Sequence, residues 1–420
     1  MKLKLHWQIL IAIVLASIVG WVAGDDGAIL GVRFYSVFDF LGTLFINALK
    51  MLIVPLIASS IIVGIAGIGS EGDLGKLGGQ TLACYAVTTL SAILVGLILV
   101  NIVRPGIVDG KPAGELLAFE ADSSEVAKQV GNKGVSDVIE VFLRAVPPNI
   151  VDAAGKGEML GIIFFCVLFG FFMSRLEHGL AEPLFKFWSG VFQVMMKITE
   201  WVMKFAPIGV FGLVARVVAR TGFDAAKPLL IFAIVVLVAL AIHVFVTLSM
   251  LLKWVGRVSP IAALRTMSSA MLMAFSTASS SATLPVTLEC LEKGGVSNRT
   301  TSFVLPLGAT VNMDGTALYE CTAALFLAQA YGLELGFVTQ FSVVVVALLT
   351  SVGVAGIPSA SLVAIAVILA AIGLPVEAIG VLFVFDRILD MTRTSVNVFG
   401  DATCAILVAR LQGETGILEK

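Results

Sequence analysis

A chain of 420 residues that is 58% hydrophobic and only 13% charged, with mean hydropathy +1.02, is excluded from the soluble globular class, whose members average about 45–50% apolar and roughly 25% charged residues. Its 29 acidic and 27 basic residues leave a net charge of −2, which argues against nucleic acid as a partner. The apolar runs extend over the full length, so no soluble domain can be cut off, and the chain reads as an all-α integral membrane protein.

The opening "MKLKLHWQILIAIVLASIVGWVAG" joins a basic start to an apolar run. A signal peptide has this outline, but the run is long and further spans follow without a convincing cleavage site. It reads as a first transmembrane helix with its basic end in the cytoplasm. Eight spans are predicted, at 7–24, 36–68, 78–104, 157–176, 184–217, 228–255, 298–332 and 376–409. Several exceed the ~20 residues that cross a bilayer upright, which implies tilt or extension into water. The polar stretch from Arg104 to Lys156 is placed outside, as a loop with short helices, and the basic segment around Lys253, Arg257 and Arg265 inside. Cys84, Cys166, Cys290, Cys321 and Cys404 lie singly in apolar surroundings, a pattern of neither disulfides nor zinc. His6, His178 and His243 read as interfacial or core residues without a metal role. Trp7, Trp21, Trp188, Trp201 and Trp254 fall near span ends, as interfacial anchors do.

Two segments resist reading as spans. "MLMAFSTASSSATLPVTLECLEKGG" carries Ser276, Thr277, Ser279, Ser280, Ser281 and Thr283, then Pro285, between apolar arms. "VVVVALLTSVGVAGIPSASLVAIAVILAAIG" is interrupted by Gly353, Gly356, Pro358, Ser359 and Ser361. Arms of about ten residues are too short to cross, and each centre is a helix breaker. Irregular backbone at membrane depth is tolerated only where it is buried in protein or lines a cavity. Both segments therefore read as re-entrant helical hairpins with tips at mid-membrane; kinked ordinary helices are the alternative. A long span with intramembrane charge follows each of them, and this repetition suggests inverted repeats, the best sequence pointer to a transport site.

The last span, "VFDRILDMTRTSVNVFGDATCAILVAR", carries the strongest signal. With Asp386 at 0° and about 100° per residue, Asp390 falls near 40°, Arg393 near −20°, Asn397 near 20°, Asp401 near 60° and Thr394 near 80°. A charge at the bilayer centre costs about 2.5–3.5 kcal/mol on insertion scales, so a stripe of them must face a polar cavity. Arg387, near 100°, lies off the stripe and is expected to pair with a neighbouring helix. The preceding span adds "VNMDGTALYE" (311–320). Asp314, Asp386, Asp390 and Asp401 outweigh Arg387 and Arg393, and a dry site of that composition needs cations, protons or both. Carboxylates, amides, hydroxyls and carbonyls are the oxygen ligands a hard cation wants. In "NMDGT", Gly315 and the upstream Pro306 are expected to break the helix and free carbonyls such as those of Gly308 and Asn312. Glu320 has no obvious counter-charge and is a candidate proton carrier. Arg393 offers a planar fork for a carboxylate, which Lys would not. Asp390 suits an ammonium group, and the hairpin tips present helix N-termini to a second carboxylate. The implied ligand is an acidic amino acid.

The motifs "SSSATLP" (279–285), "LPLGATVNMDGTALYE" (305–320), "GVAGIPSAS" (353–361) and "DMTRTSVNVFGD" (390–401) resemble those of the glutamate transporter family, the dicarboxylate/amino acid:cation symporters. The resemblance covers essentially the whole chain. It implies a homotrimeric elevator-type transporter with eight transmembrane helices, two re-entrant hairpins and inverted repeats; the compactness of the chain and its short loops place it in a prokaryotic inner membrane. A scaffold of residues 1–77 (spans 1 and 2) and 105–217 (spans 4 and 5, with the extracellular loop) would hold a moving transport domain of residues 78–104 (span 3) and 218–420. By the same resemblance Arg393 holds the substrate's side-chain carboxylate and Asp390 its amine. Thr394, Asn397, Thr316, Ser279, Ser280, Ser281, Gly356, Ile357 and Ser361 take the main-chain carboxylate and remaining polar groups. One sodium site carries over as Gly308, Asn312, Asn397 and Asp401, and another as Thr310 with the tip carbonyls of Ser351, Val352 and Val354. A third is Tyr85, Thr88 and Thr89 of "YAVTT" with Asn312 and Asp314.

Departures from the family pattern qualify this. Archaeal members place Arg at the first hairpin tip, where this chain has Ala278, and animal members place a second Arg at the position of Met391. Glu320 resembles the animal members, in which it is linked to proton co-transport and potassium counter-transport. The expected function is symport of L-glutamate or L-aspartate with sodium, with proton and potassium coupling as additions. A proton-only glutamate symporter and a C4-dicarboxylate carrier are the alternatives within the family. A channel would need a continuous polar pore. An intramembrane aspartyl protease, with Asp314 and Asp401 as its dyad, wants a GxGD context that "VFGD" lacks.

Overall fold

The computed structural model describes residues 5–24, 27–29, 32–68, 75–117, 119, 146–156, 159–351 and 361–418, and these are almost wholly helical. The chain opens with α1 (Leu5–Ala23), a small hairpin of β1 (Ala28–Ile29) and β2 (Val32–Arg33), and α2 (Phe34–Ile68). After α3 (Gly75–Val103) comes a second antiparallel hairpin, β3 (Ile107–Val108) and β4 (Lys111–Pro112). These strands and α4 (Ile150–Lys156) are what is described of the long polar stretch. Then follow α5 (Met159–Met173), α6 (His178–Met203) and α7 (Ala206–Thr221). The last two meet at a 53° bend just before Pro207, which has no N–H to continue the helical ladder.

Downstream, α8 (Ala226–Ile242) passes through a π-helical turn (His243–Leu248) into α9 (Ser249–Trp254). The first interrupted segment is a pair of helices, α10 (Pro260–Thr277) and α11 (Ser280–Lys293). Its turn falls at Ala278 (φ 49°, ψ 42°), and Pro285, expected at the break, is carried inside α11. The helix starts follow their sequence: Ser259, Ser279 and Ser297 each accept a backbone N–H of the first turn of α10, α11 and α12 (Asn298–Val311). Next comes α13 (Asp314–Ala330). The arms of the second interrupted segment are α14 (Phe337–Ser351) and α15 (Ser361–Ile372); its tip, with Gly353, Gly356, Pro358 and Ser359, lies outside the described residues. A 3₁₀ turn (Val376–Leu382) then opens α16 (Phe383–Leu411).

Among the described residues, α2, α3 and the α8–α9 segment are long and apolar enough to cross a membrane, and α6 with α7 is a fourth if the bend lies within one span. Of the other predicted spans, α1 and α5 are unbroken but shorter apolar helices, and one span is interrupted. The 298–332 span divides where Asn312 (φ −103°, ψ 83°) and Met313 (φ −111°, ψ 64°) leave helical geometry. The break is thus not at Pro306, which lies within α12, nor at Gly315, which lies in the first turn of α13. Gly315 answers a different need: a Cβ there would stand 2.8 Å from the Arg393 carbonyl oxygen.

Helices α1, α2, α5, α6 and α7 pack on one another, α3 and α8 to α13 gather around α16, and α14 and α15 pack on α13 and on each other. Where the groups meet, Phe45 of α2 lies edge-on to Phe383 (centroids 5.5 Å apart), and Lys50 pairs with Glu377 at 2.6 Å. Large apolar side chains such as Ile18, Trp21, Phe172 and Phe187 are exposed, which suits lipid as the surrounding solvent. At the chain's end, residues beyond α16 strap the α11–α12 turn. Glu414 accepts the Ser297 N–H (2.8 Å) and hydroxyl (2.6 Å) and the Thr300 hydroxyl (2.5 Å), and Leu418 N–H donates to Gly294 O at 2.8 Å.

Candidate functional site

The polar stripe of α16 is buried along its length: Asp386, Asp390, Arg393, Thr394, Asn397 and Asp401 are all inaccessible. Arg393 is 1% exposed and its Nη2 donates to Asp386 (3.0 Å) and Asp390 (3.1 Å) on its own helix. Its guanidinium lies over the ring of Tyr319, 3.7 Å from the centroid, a cation–π contact made in a desolvated place. The Nε and Nη1 donors of Arg393 have no acceptor among the described residues. Arg387 is buried on the same helix. Its Nη1 lies 3.6 Å from Asp390, so Asp390 stands between two arginines.

One turn on, Asn397 joins α16 to the break before α13. Its Oδ1 accepts the N–H groups of Gly315 (2.8 Å) and Thr316 (3.3 Å), and its Nδ2 donates to Thr316 Oγ1 at 3.0 Å. These contacts satisfy donors that a helix start leaves open. Next to it, donors from four segments converge. Asn312 Nδ2 donates to Asp401 (3.0 Å), and Asn312 Oδ1 accepts the hydroxyls of Thr88 (3.1 Å) and Thr89 (3.2 Å) of α3. Thr89 also donates to Asp314 Oδ1 at 2.8 Å, and His243 Nε2 lies 3.3 Å from Asp314 Oδ2. The Tyr85 hydroxyl donates to Val304 O of α12. No side chain fits at Gly308, where a Cβ would meet Asp401 Oδ1 at 2.6 Å. The result is a dry cluster of carboxylate, amide and hydroxyl oxygens, the donor chemistry of a hard monovalent cation.

Other expected residues are less engaged. Ser280 is buried, Ser279 caps α11, and Ser281 is exposed. The Thr394 hydroxyl donates to Asp390 O at 2.8 Å. The Thr310 and Ser351 hydroxyls donate to carbonyls of their own helices, Leu307 O at 3.0 Å and Leu348 O at 2.8 Å. Ser361 is buried at the start of α15, and Val352, Val354, Gly356 and Ile357 lie outside the described residues. Glu320 is fully buried in α13. It accepts the Thr350 hydroxyl of α14 at 3.0 Å, while its other oxygen has no partner among the described residues. Tyr319 and Thr350 are absent from the sequence reading, and His243 enters it only as an interfacial or core residue. Of these only His243 left a signal, a polar ring within an apolar run.

Residues 5–411 match the model of the sodium:dicarboxylate symporter family. The chain is 35% identical over 417 residues to a proton/sodium-glutamate symport protein of Geobacillus stearothermophilus, covering 98% of this chain and 96% of that one. It is 37% identical to a proton/glutamate-aspartate symporter of Escherichia coli (strain K12), over 97% of this chain and 93% of the other. A C4-dicarboxylate transport protein of Bacillus subtilis (strain 168) is 34% identical, again over 97% and 93%.

Proposed function

Since the chain belongs to the sodium:dicarboxylate symporter family, and is thus a multi-pass membrane transporter and not an enzyme, we propose that it carries L-glutamate or L-aspartate into the cell with sodium. The observation that carries this reading is Arg393: a buried guanidinium with donors unpartnered among the described residues, set beside Asp390 on α16. An uncompensated buried donor set is costly, and a substrate carboxylate would satisfy it bidentately. Asp390 then takes the amine, and Thr316, Thr394, Asn397, Ser280 and the second hairpin tip take the main-chain carboxylate. The Asn312, Asp314 and Asp401 cluster holds sodium. Glu320, with one oxygen unpartnered, adds proton coupling and potassium counter-transport.

The same reading makes α10–α11 and α14–α15 re-entrant hairpins of an inverted repeat in an eight-span fold. The group around α16 moves as an elevator against α1, α2 and α5 to α7, within a homotrimer of the inner membrane. A second reading, a C4-dicarboxylate carrier, draws on the pairing of Asp390 with both Arg387 and Arg393, which competes with an ammonium group. Uptake of labelled L-glutamate, L-aspartate and succinate into proteoliposomes, under separate sodium, proton and outward potassium gradients, tests both. Sodium-driven glutamate uptake lost in Asp390→Ala supports the first. Succinate uptake that survives Asp390→Ala supports the second. Uptake driven by pH alone demotes the sodium sites, and internal potassium that fails to accelerate uptake removes the potassium step.

A further inference from the structure

We propose that His243 is a positioning residue for Asp314 and, through it, sets the affinity of the site for sodium; this rests on the sodium-coupled reading above. His243 opens the π-helical turn between α8 and α9 and is fully buried. Wide turns of this kind are rare and concentrate at functional sites, because the extra residue re-aims the side chains around it. Here the ring is aimed at a carboxylate. Nε2 lies 3.3 Å from Asp314 Oδ2, while the Thr89 hydroxyl holds Oδ1 at 2.8 Å, one donor for each oxygen. The backbone of α16 closes over the same side: a Cβ on Gly400 would stand 2.6 Å from Oδ2. Asp314 is thus held by α3, α16 and the π turn together, and its rotamer cannot be set by its own helix alone.

With its proton on Nε2 the imidazole donates to Asp314, and Nδ1 then has no partner among the described residues. An apolar side chain would fill this volume without leaving a buried nitrogen unsatisfied, so packing does not account for a histidine here. Fixing a ligand carboxylate does. An outer partner that orients a ligand belongs to the cation site as much as the ligand does, and its loss costs about 10–100-fold in cation affinity.

The test compares the full-length wild type with His243→Leu, which fills the space without a donor, and His243→Gln, whose amide places an N–H near the Nε2 position. The measurement is the sodium concentration for half-maximal L-glutamate uptake in proteoliposomes, with the glutamate half-saturation taken at saturating sodium. The expected result is a rise of about 10–100-fold in the sodium value for His243→Leu, an unchanged glutamate value, and substantial recovery in His243→Gln. A His243→Leu protein with the wild-type sodium value, or Leu and Gln variants shifted equally, overturns the proposal. Should the Leu variant transport too slowly to measure, sodium protection of the purified protein against thermal unfolding gives the same half-saturation without uptake. Equal protection of wild type and variant again sinks it. Wild type indifferent to sodium overturns the coupling reading itself and is seen before any variant is compared.

Discussion

Two regions of the site are built on different principles. Around Arg393 the charged groups Asp386, Arg387 and Asp390 all belong to α16 and are paired among themselves at 3.0–3.6 Å. Around Asn312 the contacts join α3, the break before α13, α16 and the π turn. The first region is a product of helical periodicity and exists wherever α16 folds. The second exists only when several helices dock, because each carboxylate is satisfied by a side chain from elsewhere in the chain. On the proposed reading, substrate recognition rests on a pre-formed stripe, whereas cation binding reports the packing of the bundle. A transporter that must couple the two gains from this arrangement, since a cation that tightens the docked cluster also fixes where the stripe faces.

The sharpest way to break this comparison is at Arg393. Arg393→Ala leaves Asp386 and Asp390 buried without their main counter-charge, a loss of about 3–5 kcal/mol, and uptake is expected to vanish together with much of the thermal stability. Arg393→Lys keeps the charge but not the fork. It should fold, by thermal unfolding, and still fail to transport. A lysine variant with wild-type uptake would remove the carboxylate fork from the account of the first region.

In the second region, Asp401→Asn deletes a charge that Asn312 Nδ2 holds at 3.0 Å. The sodium half-saturation should rise at least tenfold, about 1.4 kcal/mol, with glutamate half-saturation at saturating sodium preserved. Equal changes in both would show that the two regions are not separable. A comparable effect is expected from Gly400→Ala, whose Cβ would press on Asp314 Oδ2 at 2.6 Å. Overpacking of this kind costs about 1–3 kcal/mol, read as a fall in thermal stability that sodium no longer offsets. Gly190→Ala, where a Cβ meets nothing within 4 Å, is the control.

The difference between the regions also governs how much of each could be read from the sequence. The stripe is legible because a period of 3.6 residues is a property of one segment, and its expected site residues Asp390, Arg393, Thr394, Asn397 and Asp401 are all buried along α16. Asn312 and Asp314 were legible as oxygen donors inside an apolar run. Arg387 lies off the stripe by helical angle, yet its long side chain spans the turn to Asp390, 3.6 Å away. The helix break was placed at Gly315 because glycine marks both backbone freedom and close approach, and here it serves the approach to the Arg393 carbonyl. His243 was set aside as a lone histidine, since a π turn leaves no mark in the residues that form it. Tyr319 and Thr350 engage Arg393 and Glu320 only through packing between helices, which no local pattern encodes.

The smallest expected effect lies away from both regions, at the strap beyond α16, and asks whether the frame that carries the stripe is itself set by charge. Partial burial works against the Glu414 carboxylate, but the hydroxyls of Ser297 and Thr300 and the Ser297 N–H outweigh it, so the group titrates below its ordinary value. A depressed folded value means that the charged form stabilises the fold at neutral pH, and that this contribution is lost as pH falls through the folded value. Glu414→Gln should cost about 1 kcal/mol at pH 7, discounted for its solvent exposure. The gap between wild type and variant, followed by thermal unfolding, should close on acidification below the ordinary carboxylate range. Uptake at pH 7 should change little, because Glu414 touches neither Arg393 nor Asp401. A gap that stays constant with pH would mean that the strap works by shape alone. A sodium half-saturation that moves with Glu414→Gln would mean that the end of α16 is coupled to the docked cluster more tightly than its contacts show.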